Sequence, residues 1–187
     1  MKKLLILFAI AALLMGTVGI ASATVLTFDE LSGSGSLSAL NPYRGIINWE
    51  PGVWFYYDSY QPPYFPESPP ERTFESTSEY HPYWSFVTPV VYEGSYFSGY
   101  PTATVQMDLY LGGTLEYSTG TFAPSSTPTF FATGYSGLVN KVVINTPEPD
   151  FWVMDNLTYS AIPLPPSVLL LGSGLLGLLG LRRFRKQ

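Results

Sequence analysis

The chain reads as an all-β protein, an antiparallel β-sandwich of jelly-roll type, flanked by two apolar end segments. Three observations predict this. Between positions 24 and 161 no stretch carries helical periodicity, while short runs rich in Val, Ile, Thr and aromatic residues recur. Gly, Pro and Ser punctuate those runs every ~8–12 residues, the rhythm of sandwiches and jelly rolls. The composition fits: 17 Gly, 17 Pro and 16% aromatic residues in 187 positions.

The runs follow in order. "TVLTF" at 24–28 opens the domain. "GIINW" at 45–49 and "VWFYYDSY" at 53–60 are split by Pro51-Gly52. "YWSFVTPVVY" at 83–92 is interrupted by Pro89, which lacks a ladder donor and so calls for an edge or a bulge. In "ATVQMDLYL" at 103–111, Val105, Met107, Leu109 and Leu111 share one face. Gly112-Gly113 then precedes "TLEYST", a two-residue hairpin signal. "TPTFFATG" at 127–134, "LVNKVVIN" at 138–145 and "FWVMDNLTYS" at 151–160 complete the set. Residues 58–82 break the rhythm with six prolines and five acids, and are expected to form an irregular insertion.

The ends differ from the middle. Residues 1–23 begin with Lys2-Lys3, continue through an apolar run and close on Ala21-Ser22-Ala23. That is the pattern of a secretory signal peptide, with cleavage expected between Ala23 and Thr24 after passage through the Sec translocon. With no cysteine, the exported domain at 24–161 must be held by its core alone. All fourteen acids lie in it, against Arg44, Arg72 and Lys141, so it carries a formal charge of −11. Such a domain offers no basic patch for counterion release, which excludes nucleic acid as a partner.

From Ile162 to Leu181 there is no charge, and a transmembrane helix is expected over about 164–181. Its densely apolar part, Val168 to Leu181, has fourteen residues and is short of the about 20 a spanning helix needs unless the Ile162–Ser167 step lies near the interface. Glycines at 172, 174, 177 and 180 dilute it. The tail at 182–187 carries Arg182, Arg183, Arg185 and Lys186, which stay cytoplasmic by the positive-inside tendency. The three parts of residues 162–187 are Pro163-Leu164-Pro165-Pro166-Ser167, the Leu/Gly run and the basic end. Together they resemble the sorting segment of bacterial PEP-CTERM proteins, with Leu164 where that family's motif has Glu. The resemblance implies recognition by a membrane-bound exosortase. It further implies a transient single-pass anchor in the inner membrane, then transfer to the cell surface or to an extracellular, exopolysaccharide-containing matrix. The domains in front of such tails are jelly rolls whose first and last strands resemble "LTFDEL" at 26–31 and "VMDNLTY" at 153–159 here.

Sites are fewer than signals. His81, the only histidine, sits in the irregular segment, and no pair among fourteen acids is singled out as a glycoside hydrolase pair. The expectation is therefore a non-enzymatic protein, with a hydrolase as a distant alternative. Asp29 and Glu30 end the first strand and Asp155 lies in the last. If these strands pair, the three carboxylates offer oxygen ligands to a structural Ca²⁺; otherwise they cap turns and strand ends. Trp54, Tyr56, Tyr60, Tyr64, Tyr83 and Trp84 lie in and around the proline-rich insertion. They are candidates for stacking on a polysaccharide, as a carbohydrate-binding module would use them, or for packing beneath the loop.

Mass spectrometry of the mature protein is expected to show an N-terminus at Thr24 and loss of the residues after about Ser167. Retention of the Arg-rich end would reduce the tail to a plain membrane anchor.

Overall fold

A computed structural model describes residues 22–75 and 80–161. The rest of the signal segment, residues 76–79 and the whole sorting segment with Pro163, Pro165, Pro166, Ser167 and its basic end lie outside the described residues. Within them no helix is long and apolar enough to cross a membrane.

The described domain is all-β and every strand pairing in it is antiparallel. Eleven strands form one hydrogen-bonded network: β1 (Ala23–Leu26), β2 (Ser34–Ser36), β3 (Ile47–Trp49), β4 (Trp54–Tyr57), β5 (Arg72–Glu75), β6 (Tyr83–Gly99), β7 (Gln106–Leu111), β8 (Thr114–Ser118), β9 (Thr129–Ala132), β10 (Val139–Asn145) and β11 (Trp152–Ala161). The main path runs β2-β4-β5-β11-β6-β10-β7-β8. β1 adds to β11, while β3 and β9 add to β6.

β6 is 17 residues long and changes neighbours along its length. Its first part lies between β3 and β10, with Trp84 opposite both Trp49 and Val142. Its second part lies between β9 and β11, with Phe97 opposite both Thr129 and Met154. Pro89 sits at the change. Against β10 the register moves from Ser85–Lys141 to Val90–Val139, so β6 bulges there, as its missing donor requires. The β7–β8 hairpin turns through Gly112 (φ 59°) and Gly113 (φ 87°), two successive left-handed residues that suit a primed turn.

The insertion at 58–82 is more regular than its composition suggests. Arg72–Glu75 forms β5, which pairs with β4 from Tyr57–Arg72 to Trp54–Glu75 and with β11 at Met154–Thr73. Four residues carrying two charges give a weak strand signal. Pairing on both sides decides the matter, with Arg72 only 2% exposed and its Nη1 and Nη2 donating to the Pro70 and Ser59 carbonyls. The stretch "GIINW" at 45–49 is less regular than expected: Tyr43 closes a turn on Ile47, and only Ile47–Trp49 is strand.

The core is aromatic. Trp49, Trp54, Trp84 and Trp152 are all buried and touch in sequence, with ring centroids 5.1 to 6.0 Å apart. Tyr92, Phe97 and Phe28 extend the cluster to the inner faces of β6 and of the turn after β1. Each such ring buries roughly 150–250 Å², which lets a domain without disulfides rest on packing. The Trp54 indole N–H also donates to the Tyr83 carbonyl at 2.9 Å. The Trp54→Ala variant should lose about 3–5 kcal/mol of stability, read as a lower denaturant midpoint.

Candidate functional site

β4 is aromatic at all four positions, and the pleat divides them. Trp54 and Tyr56 turn inward, the latter against the core and over Gly35. Phe55 and Tyr57 take the other face and meet Phe74 of β5. Tyr57 and Phe74 form an edge-to-face pair at 5.0 Å, and the Arg72 guanidinium lies 3.9 Å from the Tyr57 ring centroid.

The proline-rich loop at 58–71 folds back beside this pair. Its Tyr64 stands edge-on to Tyr100, 5.6 Å away, and donates its hydroxyl to the Asp150 carbonyl at 2.8 Å. Tyr100 in turn packs on Phe151 at 5.3 Å. Gly99 makes this possible: at φ 154° it lies so close to the Phe151 carbonyl that a Cβ there would overlap it. The Tyr100 N–H then reaches the Phe151 carbonyl at 2.9 Å.

Between these rings lies an open groove of about 530 Å³, walled by Tyr57, Tyr64, Phe74, Tyr100 and Phe151, with Gln61 and Asp150 as its polar groups. Tyr100 and Phe151 are 43% and 42% exposed, an unusual outlay of apolar surface for two rings in mutual contact. A second hollow of about 300 Å³ shares Gln61 and Tyr64 and is rimmed by Asp58 and Tyr60. Burial, with the neighbouring Tyr100, Tyr57 and Asp150, pushes the Tyr64 phenol up to about 12, so it stays a hydroxyl.

A polar clasp holds the loop. The Ser68 N–H donates to Asp155 Oδ2 at 2.9 Å. The single Ser68 hydroxyl proton is shared between Asp29 Oδ1 at 3.0 Å and Asn156 Oδ1 at 2.9 Å. Asp155 Oδ1 accepts from the Asn156 N–H at 2.7 Å. Asn156 is left-handed (φ 48°) where the β6–β11 register shifts between Asp155 and Thr158, a bulge that re-aims side chains. Ser98 adds a hydroxyl bond to the Phe65 carbonyl at 2.5 Å. Prolines donate nothing, so side chains of the sheet supply what the loop backbone lacks.

The structure brings together two of the three carboxylates considered for calcium. β1 pairs with β11, and Asp29 and Asp155 meet at Ser68. Glu30 is the correction. It turns to Arg44, which bridges it through both Nε and Nη2, and takes the Tyr43 hydroxyl. Burial opposes its charge, but these bonds outweigh that and leave its pKa lowered. Among the described residues no three His, Cys, Asp or Glu side chains are arranged to hold a metal ion. Calcium wants six to eight oxygens, and the clasp oxygens already accept hydrogen bonds.

Of the aromatic candidates, Tyr64 lines the groove and Tyr60 the neighbouring hollow, 5.8 Å from Phe65. Trp54 and Trp84 are corrections: both are fully buried in the tryptophan cluster and face no solvent. Tyr56 packs on the core, and Tyr83 lies under Lys141 Nζ at 3.8 Å, away from the groove. The sequence reading missed Tyr57, Phe74, Tyr100 and Phe151. Four aromatic residues in a row hide which face Tyr57 takes, and the others converge only in three dimensions. His81 bonds Asn145 at 2.8 Å beside a different hollow. Among the described residues, Asp150 is the acidic residue that lines the groove. At the processing site, Ala23 and Thr24 are exposed and pair with Ser160 and Tyr159.

Comparison with known proteins adds no identity: no family model, no curated protein and no solved structure matches the chain.

Burial pushes Asp155 up from 3.8 to about 6, against the Ser68 and Asn156 N–H bonds and helped by Asp29; burial raises Glu71 too, with Asp58 contributing. A carboxyl that holds its proton more tightly when folded adds stability once protonated. The Asp155 contribution, about 3 kcal/mol, is thus fully present below its unfolded pKa and lost as the pH rises through about 6. The melting temperature should rise as the pH falls from about 7.5 to about 5, and Asp155→Asn should flatten that rise.

Proposed function

We propose that the chain is an exported, non-enzymatic protein whose domain binds extracellular polysaccharide through the aromatic groove. The finer fold in this reading is a β-sandwich of jelly-roll type. It is supported by β6 serving one set of strands with its first part and another with its second, around a shared aromatic core. The address is carried by the residues at 162–187. In this reading an exosortase takes the protein from the inner membrane to the cell surface or matrix.

The single observation behind the binding role is the groove itself. Sugar rings present flat C–H faces, and five aromatic side chains form walls against which they can stack. Gln61 and Asp150 supply a few polar contacts, the usual makeup of a pocket that orients a small ligand. The groove is open instead of closed, which suits a polymer that passes through.

Removing one stacking ring costs about 1–1.5 kcal/mol, or roughly tenfold in affinity. Tyr100→Ala and Phe151→Ala should therefore each weaken retention in polysaccharide affinity gels by about tenfold. Tyr117→Ala, on the distant β8, should not. Unchanged retention in both groove variants, with melting curves intact, would count against the groove as the site.

A further inference from the structure

We propose that Tyr117 and Tyr135 form an oxidation site, at which a one-electron oxidant couples the two phenol rings into a dityrosine cross-link that staples β8 to the segment after β9. The site is separate from the groove and does not depend on what the groove binds.

Two Tyr–Tyr ring pairs occur among the described residues. Tyr64 meets Tyr100 edge-on, at 82°. Tyr117 and Tyr135 instead lie face to face, 12° from parallel with centroids 5.2 Å apart. Parallel rings at that separation are offset, so ring carbon faces ring carbon. Both hydroxyl ends meet the same turn. Tyr117 Oη comes within 4.0 Å of where a Cβ on Gly134 would stand. Tyr135 Oη lies so close to Gly137 that a Cβ there would overlap it. In a phenoxyl radical the unpaired electron sits on the oxygen and on the ring carbons that flank the C–O carbon, and those carbons lie at these ends.

Access and anchoring are divided between the two rings. Tyr117 is 37% exposed and open to an oxidant. Tyr135 is half-buried and packs on the core, with its N–H donating to Thr133 Oγ1 at 3.2 Å. β8 ends the main strand path, pairs only with β7 and is exposed at all five positions. An edge held from one side can yield by the small slide that bond formation needs. The chain has no cysteine to intercept the oxidising equivalents.

The step balances with hydrogen peroxide as the oxidant, activated by a haem peroxidase. Each phenol gives up one electron and its hydroxyl proton, and peroxide takes both pairs to become two waters. The two radicals join through a new C–C bond between carbons beside the C–O carbons. The hydrogens on those carbons then move to the oxygens, which restores both rings and both hydroxyls. The product is lighter by two hydrogen atoms. It closes a loop of about 20 residues and restricts the unfolded chain as a disulfide of that span would.

The test treats dilute full-length protein in detergent with hydrogen peroxide and a haem peroxidase, then maps the digest by mass spectrometry. The expected product is a peptide pair joining Tyr117 to Tyr135 within one chain, with the blue fluorescence of dityrosine. The cross-linked monomer should melt on the order of 5 °C higher. Tyr117→Phe and Tyr135→Phe keep the stacked rings, so both should fold with melting temperatures near that of the unoxidised parent. Each should lose the cross-linked peptide and the gain in melting temperature. Coupling found only between chains, through Tyr60 and Tyr80 at 81% and 54% exposed, would show that exposure and not stacking selects the site, and overturns the proposal. Fluorescence undiminished in both Phe variants, or no dityrosine at all, overturns it too. A cross-linked monomer that melts no higher overturns the stapling role.

Discussion

A strand of seventeen residues cannot stay flat while four neighbours claim its edges. β6 pairs with β3 and β10 at its start and with β9 and β11 at its end, and the bulge around Pro89 separates the two neighbourhoods. Everything else follows from that division. Trp84 and Phe97, on the two parts of one strand, both reach the tryptophan cluster, through Trp49 and Trp152 respectively. The strands that β6 gathers thus enclose a common core. Because no disulfide helps, the geometry of this one strand decides whether the core closes.

The groove is a by-product of how the chain leaves that frame. Between β4 and β5 it must travel through a segment poor in backbone donors. The clasp at Ser68 supplies the missing contacts from β11 and from the turn after β1. Asp155 is held in a place that resists its charge, yet both its oxygens are engaged. A buried, bonded carboxylate of this kind is costly to ionise and costly to remove. It fixes the loop where Tyr64 meets Tyr100.

What could be read in the sequence was whatever depends on neighbours along the chain. The Gly112-Gly113 hairpin needs only two residues that accept positive φ, and it formed as expected. The bulge at Pro89 needs only a missing N–H. The meeting of Asp29 with Asp155 is not local: it hangs on the pairing of the first strand with the last, which the sequence offered only as a condition. β4 shows where this fails. With Trp54, Phe55, Tyr56 and Tyr57 in a row there is no polar partner to mark the outer face, so alternation is invisible and the inward pair was taken for the outward one. Glu30 failed for a similar reason: adjacent acids on a turn diverge, and only Arg44, at an unusual φ of 49°, decides which way. Phe151 and Tyr100 are far apart in sequence and share a groove through the close approach at Gly99.

β11 starts beside the groove, at Trp152, and ends at Ala161, where the chain leaves the domain. At about 3.3 Å per residue the two points are roughly 30 Å apart. A pull between a polymer held in the groove and a membrane or matrix holding the chain end would therefore run lengthwise along this strand. β6 flanks it on one side, β5 and β1 on the other. Hydrogen bonds strained along the strand axis share the load and must give way together, whereas an edge strand peeled from one end loses them one at a time. The order of strands thus sets the domain up to resist tension in the direction that tethering would impose.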